Sequence, residues 1–406
     1  MNYQEVLDWM FNQLPMFQIQ GATAYKNDLS NSILLSDYLG NPEKKLSCIH
    51  VAGTNGKGST SHFLASILQQ AGFKVGLFTS PHLKDYRERI KINGKEISKD
   101  FVIDFINTHK FFFEKNHLSF FEMSVGLAFD YFDKQKTDIN IIEVGLGGRL
   151  DSTNIISPLV SVITNIGLDH TQLLGNTLTA IAHEKAGIVK KNIPVVIGEY
   201  LKETKKIFIE KAEEFHSEIY FASDLVNGTY SSDLLGDYQK KNIKTVRQTI
   251  QILNDKYNYS IAEDDIRNGF LNVIKNTGLK GRWQILSQSP YTVCDTAHNF
   301  DGIKIVMNQI QKHKFDTLHI VLGFVNDKNI DTILEILPKK AKYYFCRPNI
   351  FRGLDGQILQ LKAANFGLKG QLCISVANAY TEATKMAKSS DFIYVGGSTF
   401  VVAEII

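Results

Sequence analysis

The sequence predicts an α/β protein with two domains, each built on a mostly parallel sheet. From Leu46 onward, short apolar runs alternate with longer helical patterns, which is typical of βαβ units. A glycine-rich loop with a lysine lies between the first apolar run and the first helical pattern, as in phosphate-binding P-loops. Because 406 residues exceed one ordinary domain, we predict a large P-loop-containing parallel-sheet domain over 1–280 and a smaller Rossmann-like α/β domain over 281–406.

The periodicity predicts the elements of the first domain in order. CIHVA (48–52) predicts a strand, and 59–70 predicts a helix that ends at Gly72. Further strands are predicted at the short apolar runs 74–78, 139–145, 159–165 and 194–198. Further helices are predicted near 100–115 and 122–133, in LTAIAHEKAGIVK (178–190), and around 236–257.

The stretch KNTGLKGRW (275–283) marks the predicted boundary, because the strand–helix alternation restarts after it. Strands are predicted at YTVCD, LHIVLG, YYFC, LCISV (372–376) and DFIYVGG. Helices are predicted to begin at Gly302, Asn329 and Tyr380.

Composition is that of an ordinary globular protein, with 44% hydrophobic and 21% charged residues. A formal net charge of +3 gives no reason to expect nucleic acid as a partner. The N-terminal segment lacks a cationic lead into an apolar run, and no apolar run reaches about 18 residues. The four cysteines are widely spaced without a C-x-x-C motif, which argues against a zinc site or a disulfide framework. We expect a cytoplasmic monomer without membrane or nucleic-acid partners.

The loop HVAGTNGKGST (50–60) departs from the common P-loop at one position. A common P-loop places Ser or Thr directly after its lysine, where the hydroxyl ligates Mg²⁺. Here Gly58 follows Lys57, and the hydroxyls of Ser59 and Thr60 come later. The strand–loop–helix context still directs backbone N–H groups and a lysine at an anion. We therefore interpret the loop as a phosphate site of an NTPase-type domain and not as a mere tight turn.

Other polar residues follow neighbouring strand ends, where ligands of open α/β sheets gather. Ser80 follows the strand at 74–78, Glu143 ends the next, and Asp169 with His170 follows the strand at 159–165. Lys185 lies in a predicted helix. Each also has an ordinary interpretation, because a strand-end Glu is often solvated, a lone His is seldom a ligand and most lysines lie on the surface.

A basic cluster occupies the segment FTSPHLKDYRERIKINGKEI (78–97) and allows two interpretations. Its members are Lys84, Arg87, Arg89, Lys91 and Lys95. They either solvate a surface hairpin or attract an anionic substrate, and the sequence favours neither.

The blocks GTNGKGS, TSPHL, EVGLGGRLDSTN, TNIGLDH and IAHEKAGI, in this order, resemble the dihydrofolate synthase / folylpolyglutamate synthase family of the Mur-ligase superfamily. The similarity continues through GDYQKKN, GRW and DTAHNFDG, so it covers nearly the whole chain. The resemblance implies an ATP-dependent ligase that adds L-glutamate to dihydropteroate, to a reduced folate, or to both, through an acyl phosphate. It also implies ATP and two Mg²⁺ ions as cofactors.

The resemblance implies roles for the matching positions. The ATP contacts are Thr54, Asn55, Gly56, Lys57, Gly58, Ser59, Asn242, Arg282, Asp295 and His298. The Mg²⁺ ligands are Ser80, Glu143, His170 and Lys185, of which the lysine is typically N6-carboxylated in the family. Lys57, His170 and Lys185 are the implied catalytic residues. The implied pterin site comprises Phe121, Glu122, Asp151 and Ser152, although a packed helix start explains FFEMSVG equally well.

Two departures from the family pattern stand out. Tyr238 occupies a position where the family often has histidine, which removes any role that rests on an imidazole there. Phe300 replaces a common proline, which we expect to alter only a turn.

Two other functions compete with this interpretation. A Mur-type ligase for nucleotide-linked peptides would be expected to carry an extra N-terminal domain, whereas only about 45 residues precede the first predicted strand. A binding module that uses ATP only for closure would not need Glu143, His170 and Lys185 together.

Overall fold

The computed structural model describes residues 1–13, 28–326 and 330–406. These residues form two compact units. The N-terminal unit comprises Met1–Asp233 and Gln239–Gly278, and the C-terminal unit comprises Leu234–Tyr238 and Leu279–Ile406. Both units are α/β, as the sequence predicts. The short segment 234–238 thus packs with the C-terminal unit although it precedes the last helices of the N-terminal unit.

The described strands of the N-terminal unit form one sheet. They are β1 (Cys48–Ala52), β2 (Val75–Phe78), β3 (Ile90–Ile92), β4 (Lys95–Glu96), β5 (Ile139–Glu143), β6 (Val160–Ile163), β7 (Val195–Ile197) and β8 (Ile219–Phe221). Their order is β4-β3-β2-β5-β1-β6-β7-β8; β3 is antiparallel to both of its neighbours, β2 and β4, and all other neighbouring pairs are parallel. The carboxyl ends of β2, β5, β1 and β6 therefore lie side by side.

Helices cover both faces of this sheet. They are α1 (Tyr3–Gln13), α2 (Ser30–Tyr38), α3 (Lys57–Gln70), α4 (Lys99–Lys115), α5 (Phe120–Gln135), α6 (Thr171–Leu174), α7 (Leu178–Ala186), α8 (Lys202–Glu214), α9 (Ala222–Leu225), α10 (Gln239–Tyr257), α11 (Glu263–Leu271) and α12 (Val273–Thr277). Short 3₁₀ turns occur at Pro42–Lys45, Tyr86–Arg89 and Ser152–Ile155. Because both faces are covered, β1 and β5 are buried along their whole length and consist largely of consecutive apolar residues.

The described strands of the C-terminal unit form a second sheet. They are β9 (Gln284–Gln288), β10 (Tyr291–Cys294), β11 (Leu318–Leu322), β12 (Lys342–Phe345), β13 (Gly370–Leu372) and β14 (Phe392–Gly396), in the order β13-β12-β11-β14-β10-β9. Only β9 runs antiparallel to its described neighbour. The helices are α13 (Phe300–Ile310), α14 (Asp331–Ile336), α15 (Gly356–Asn365), α16 (Val376–Met386) and α17 (Thr399–Ala403).

The strands predicted from apolar runs are confirmed, except in one segment. The prediction of a strand over 372–376 is wrong, because β13 ends at Leu372. Ser375 is the N-cap of α16, so this helix begins at Val376, four residues before the predicted start at Tyr380. Within this apolar stretch, Cys373 and Val376 are buried, whereas Ile374 is 93% exposed. The predicted helix start at Asn329 lies outside the described residues.

The four cysteines, Cys48, Cys294, Cys346 and Cys373, are buried free thiols. Among the described helices, none combines the length and the apolar character that crossing a membrane requires.

Helix α3, which begins at the phosphate loop, is held by close contact with α11. Ser66 donates a hydrogen bond to the Gly269 carbonyl (2.6 Å). A Cβ atom at Gly269 would lie 2.5 Å from Cα and 2.9 Å from N of Ile67, so the two backbones leave no room for a side chain.

We expect Gly269→Ala to lower the free energy of unfolding by about 1–3 kcal/mol, because overpacking against backbone outweighs the gain in helix propensity. Gly126→Ala in α5 is the matched control, since its Cβ would meet the flexible end of Leu35, and it should stay within about 1 kcal/mol of the wild type. Chemical denaturation measures both. Equal stability of the two variants would contradict the proposed backbone contact.

Candidate active site

The phosphate loop has two positions, 53 and 56, at which only glycine fits. Gly53 has φ +144°, and its Cβ would overlap Oγ1 of Thr164. Gly56, the N-cap of α3, has φ +85°, and its Cβ would overlap the amide of Asn242. Both φ values lie in the region that favours glycine. The loop backbone therefore lies directly against the end of β6 and against α10.

Hydrogen bonds from the segment after β6 fix the rest of the loop. Thr54 N donates to the Asn165 carbonyl (3.0 Å), and Asn55 N donates to the Asn165 side chain (2.9 Å). The Thr164 hydroxyl donates to the Asn55 carbonyl (2.6 Å). Thr54 Oγ1 also bridges the carbonyl and N–H groups of Gly167. The loop is thus preorganised, as an anion site requires.

Two lysines converge on one carbonyl oxygen of this loop. Lys57 Nζ donates to the Gly53 carbonyl at 3.1 Å, and Lys185 Nζ donates to the same oxygen at 3.0 Å. Lys185 is only 4% exposed, so its interpretation as a surface lysine is wrong. Burial, followed by the positive charge of Lys57, lowers the pKa of Lys185 to about 7. The site concentrates positive charge where phosphate oxygens are expected.

A buried carboxylate lies at the adjacent strand end. Glu143 closes β5, which is between β2 and β1 in the sheet, and it is 3% exposed. Its Oε2 accepts a hydrogen bond from the backbone N–H of Ser80, just beyond β2 (3.2 Å). The structure therefore brings Ser80 and Glu143 together, as the sequence predicts, and Glu143 is not a solvated residue.

His170 and Asp169 follow β6 at the same edge of the sheet. His170 is the N-cap of α6 with φ 50°, and its backbone N–H donates to Asp169 Oδ1 (2.9 Å). The negative charge of Asp169 opposes the lowering of the Lys185 pKa, which places Asp169 near the buried lysine. The sequence draws attention to Asp169 only by its position before the histidine.

The hydroxyl of Ser59 is occupied by a residue that the sequence did not single out. Ser59 is 1% exposed, and its Oγ accepts a hydrogen bond from Nε2 of Gln239 (3.1 Å). Oε1 of Gln239 accepts in turn from Asn242 (2.8 Å), whose amide lies against Gly56. Asn242 is therefore part of the loop environment. Gln239 precedes it by one helical turn, and both residues lie in the block GDYQKKN.

The Asp151 carboxylate holds the glycine-rich turn after β5. It accepts hydrogen bonds from Leu146 N (2.9 Å), from Thr153 N (3.0 Å) and from the Thr153 hydroxyl. Since that hydroxyl donates to Asp151, His50 Nε2 must donate to Thr153 Oγ1 across 2.8 Å. Burial, followed by the charge of Lys190, lowers the pKa of His50 to about 3, so this imidazole is neutral. No pattern in the sequence indicates this role of His50.

The remaining predicted pterin residues are packed. Glu122 forms a capping box with Ser119, accepting from its backbone N–H at 2.6 Å, and is 4% exposed. The ring of Phe121 fills the space where Gly145 would carry a Cβ. Ser152 begins the 3₁₀ turn that Asp151 caps. Their contacts match a packed helix start and turn, and a pterin role stays a prediction.

Arg282, Asp295 and His298 lie in the C-terminal unit. Both oxygens of the buried Asp295 are engaged, by Ala297 N (2.8 Å), Trp283 N (2.7 Å) and the Tyr238 hydroxyl (2.6 Å). Arg282 donates to the Thr296 hydroxyl, and His298 Nδ1 lies 3.0 Å from the Thr296 carbonyl. Burial raises the pKa of Asp295, and three donors oppose that rise. The carboxylate thus joins the segment 234–238 to the strand β10.

A parallel sheet whose strand ends gather a glycine-rich lysine loop, a buried carboxylate and a second buried lysine defines a nucleotide-phosphate-binding enzyme. The family description "Mur ligase middle domain" matches residues 51–262, and "Mur ligase, glutamate ligase domain" matches 281–399. The chain belongs to the dihydrofolate synthase / folylpolyglutamate synthase family of the Mur ligase superfamily. The enzyme class is that of ATP-dependent amide-forming ligases.

Three similar proteins support this assignment. The dihydrofolate synthase/folylpolyglutamate synthase of Bacillus subtilis is 34% identical over 74% of each chain. A probable bifunctional folylpolyglutamate synthase/dihydropteroate synthase of Haloferax volcanii is 32% identical; the match covers 100% of this chain, which spans 50% of that relative. A crystal structure of a bifunctional folylpolyglutamate synthase/dihydrofolate synthase with Mn, AMPPNP and L-glutamate bound has a TM-score of 0.85 and 26% identity, covering 100% and 97% of the two chains.

The Tyr238–Asp295 hydrogen bond can be tested directly. We expect Tyr238→Phe to destabilise the C-terminal unit by about 1–3 kcal/mol, because a buried carboxylate loses one donor. The control is Tyr220→Phe, which removes a hydroxyl that donates to the exposed Glu218 and should change stability by about 0.5 kcal/mol or less. Thermal and urea unfolding measure both changes, and equally small values would show that the Tyr238 hydroxyl contributes little.

Proposed function

We propose that the chain joins L-glutamate to dihydropteroate, to a reduced folate, or to both, with ATP converted to ADP and phosphate. The observation that carries this proposal is the convergence of Lys57 and Lys185 on the Gly53 carbonyl, at the strand edge that also holds Glu143. Family membership supports the substrate class. The related structure with Mn, AMPPNP and L-glutamate supports ATP and a divalent metal as cofactors. We further expect a monomer that acts on small molecules and not on nucleic acid.

The chemistry explains why positive charge is concentrated at the loop. A carboxylate is a poor electrophile, so amide formation requires its activation. Attack of the pteroyl-side carboxylate on the γ-phosphorus of ATP forms an acyl phosphate and releases ADP. This step gathers negative oxygens, and the backbone N–H groups of the loop and Lys57 stabilise them. The glutamate amine then attacks the acyl carbon, and the tetrahedral intermediate expels phosphate.

Ser80 and Glu143 would hold the first Mg²⁺. Hydroxyl and carboxylate oxygens suit this cation, and Glu143 is a buried acid whose Oε2 is aligned by the Ser80 backbone. Ser59, the other candidate from the loop, already accepts the Gln239 amide. When bound, Mg²⁺ would neutralise part of the negative charge of the phosphates. Ser80 therefore replaces the hydroxyl that position 58 lacks.

His170 and a carboxylated Lys185 would hold the second Mg²⁺. An unmodified lysine brings a positive ammonium group, which repels a metal and offers no lone pair. Addition of CO₂ to the neutral amine forms an N–C bond, releases a proton and leaves an anionic oxygen donor, which suits a hard cation. Burial of Lys185 beside Lys57 supports the change, because a carboxylated Lys185 would turn like-charge repulsion into attraction.

An ATP-gated module without ligation is the competing function from another class. It is distinguished by the substrates on which ADP release depends. Wild-type protein with Mg·ATP should release ADP over repeated turnovers only when a pteroyl substrate and glutamate are both present, because glutamate is needed to consume the acyl phosphate. ADP release that does not depend on glutamate would favour the module.

The split between the two folate reactions is measurable with labelled glutamate. Dihydropteroate and tetrahydrofolate are supplied separately with Mg·ATP, and we expect label to enter an amide product from at least one of them. Label in only one product would identify the preferred acceptor. Label in neither product would contradict the proposed function.

We expect Lys185→Ala to lower kcat on the order of 100-fold or more, because a metal ligand is lost. Lys190→Ala is the control, since Lys190 donates to the Asn154 carbonyl (2.7 Å), whereas Lys185 donates to the Gly53 carbonyl. With ¹³C-bicarbonate, the wild type should show a carbamate NMR signal that Lys185→Ala lacks and Lys190→Ala keeps. Full turnover of Lys185→Ala, with no effect of bicarbonate, would exclude carboxylation of this residue.

A further inference from the structure

The loop after β2 is held in one conformation by the carboxylate of Glu88. Its oxygens accept hydrogen bonds from the backbone N–H groups of Leu83 (2.7 Å), Lys84 (3.0 Å) and Asp85 (3.1 Å). Three successive backbone donors are thus committed to one side chain. His82 precedes them directly, so its position is set before any substrate binds.

Arg89 fixes the tautomer of His82. Arg89 Nε donates a hydrogen bond to His82 Nδ1 across 2.8 Å. Because a guanidinium group has no acceptor, Nδ1 carries no proton and the ring proton resides on Nε2. Arg89 is 3% exposed, and its guanidinium carbon lies 5.2 Å from the centroid of the Phe120 ring. His82 is therefore a neutral donor backed by a buried cation, and Arg89 is not a solvated residue of a surface hairpin.

Aromatic rings surround this donor. The His82 ring stacks near Phe11 (centroids 6.4 Å apart) and meets Tyr86 edge-on at 6.2 Å. Phe120 packs against both, with centroids 5.4 Å from Phe11 and 5.7 Å from Tyr86. Apolar walls lower the local dielectric constant, which strengthens a hydrogen bond made by the imidazole.

The donor lies beside the proposed activation site. His82 is two residues beyond Ser80, whose backbone N–H donates to Glu143. Of the groups in residues 1–13, 28–326 and 330–406, none accepts a hydrogen bond from His82 Nε2. His82 Nε2–H is therefore a preorganised, neutral hydrogen-bond donor beside the strand edge where the proposed reaction activates a carboxylate.

We propose that His82 Nε2–H donates a hydrogen bond to the carboxylate of the pteroyl substrate, with Arg89 as the positioning residue. This inference rests on the proposed ligase function. One carboxylate oxygen held by His82 leaves the other oxygen directed at the γ-phosphorus. A neutral donor with its proton fixed by Arg89 orients the nucleophile without cancelling its charge, whereas a direct ion pair would reduce its nucleophilicity.

The test compares two variants that differ in where they place an amide N–H. In His82→Gln the side-chain amide reaches the place of Nε2, whereas in His82→Asn it reaches only the place of Nδ1. Binding of dihydropteroate is measured by calorimetry with Mg²⁺ and AMPPNP present. It is compared with binding of the analogue that carries hydrogen in place of the carboxylate.

We expect His82→Asn to lose about 10-fold of the wild-type preference for the carboxylate-bearing ligand, the usual effect of one hydrogen bond to a charged group. His82→Gln should retain most of the preference. Arg89→Met should lose part of it, because the His82 tautomer is no longer fixed. Affinity for AMPPNP should stay within about twofold in every variant, since no loop contact changes.

Three results would overturn the inference. His82→Asn could keep the full preference, or it could lose affinity equally for both ligands, which would indicate a structural role. If His82→Gln loses as much preference as His82→Asn while its thermal unfolding matches the wild type, the donor position is irrelevant. Wild-type protein that neither binds dihydropteroate nor incorporates glutamate would instead contradict the proposed function, and the inference with it.

Discussion

The carbonyl oxygen of Gly53 accepts hydrogen bonds from Lys57 and Lys185, and the arrangement of the whole site depends on that shared acceptor. Gly53 allows it because the φ of +144° and the contact with Thr164 exclude a side chain. Burial, followed by repulsion from the Lys57 ammonium group, disfavours the protonated form of Lys185. A phosphate bound at the loop would relieve this repulsion. The site is therefore complementary to negative charge.

The predictable parts of the fold are those that depend on consecutive apolar residues. β1 and β5 are buried on both faces, so apolar residues predominate in both sequences, with His50, Asn140 and Glu143 as the exceptions. The phosphate loop is predictable because its glycines and lysine form a short local motif between a strand and a helix. The proximity of Ser80 and Glu143 is only partly predictable. Each residue lies at the end of a predicted strand, but only the strand order β2-β5-β1 makes them neighbours.

The unpredicted parts of the site depend on polar contacts between residues far apart in the chain. Gln239 and Ser59 are separated by 180 positions, and Thr153 and His50 by 103. Arg89 lies in a charged segment that is typical of a solvated hairpin, yet the aromatic ring of Phe120 covers it. No local periodicity distinguishes such buried polar side chains from exposed ones. Only the tertiary structure shows which of these polar side chains are buried away from water.

Tyr238 departs from the family pattern but still supplies a hydrogen-bond donor to Asp295. Its hydroxyl donates to Asp295 (2.6 Å), which a histidine N–H could also do. The difference is electrostatic. Burial and the charge of Asp295 raise the pKa of Tyr238 far above its usual value, so the phenol stays neutral throughout the physiological range. A histidine beside this carboxylate would gain a proton as the pH falls. The tyrosine therefore removes from the attachment of segment 234–238 a group that would titrate near neutral pH.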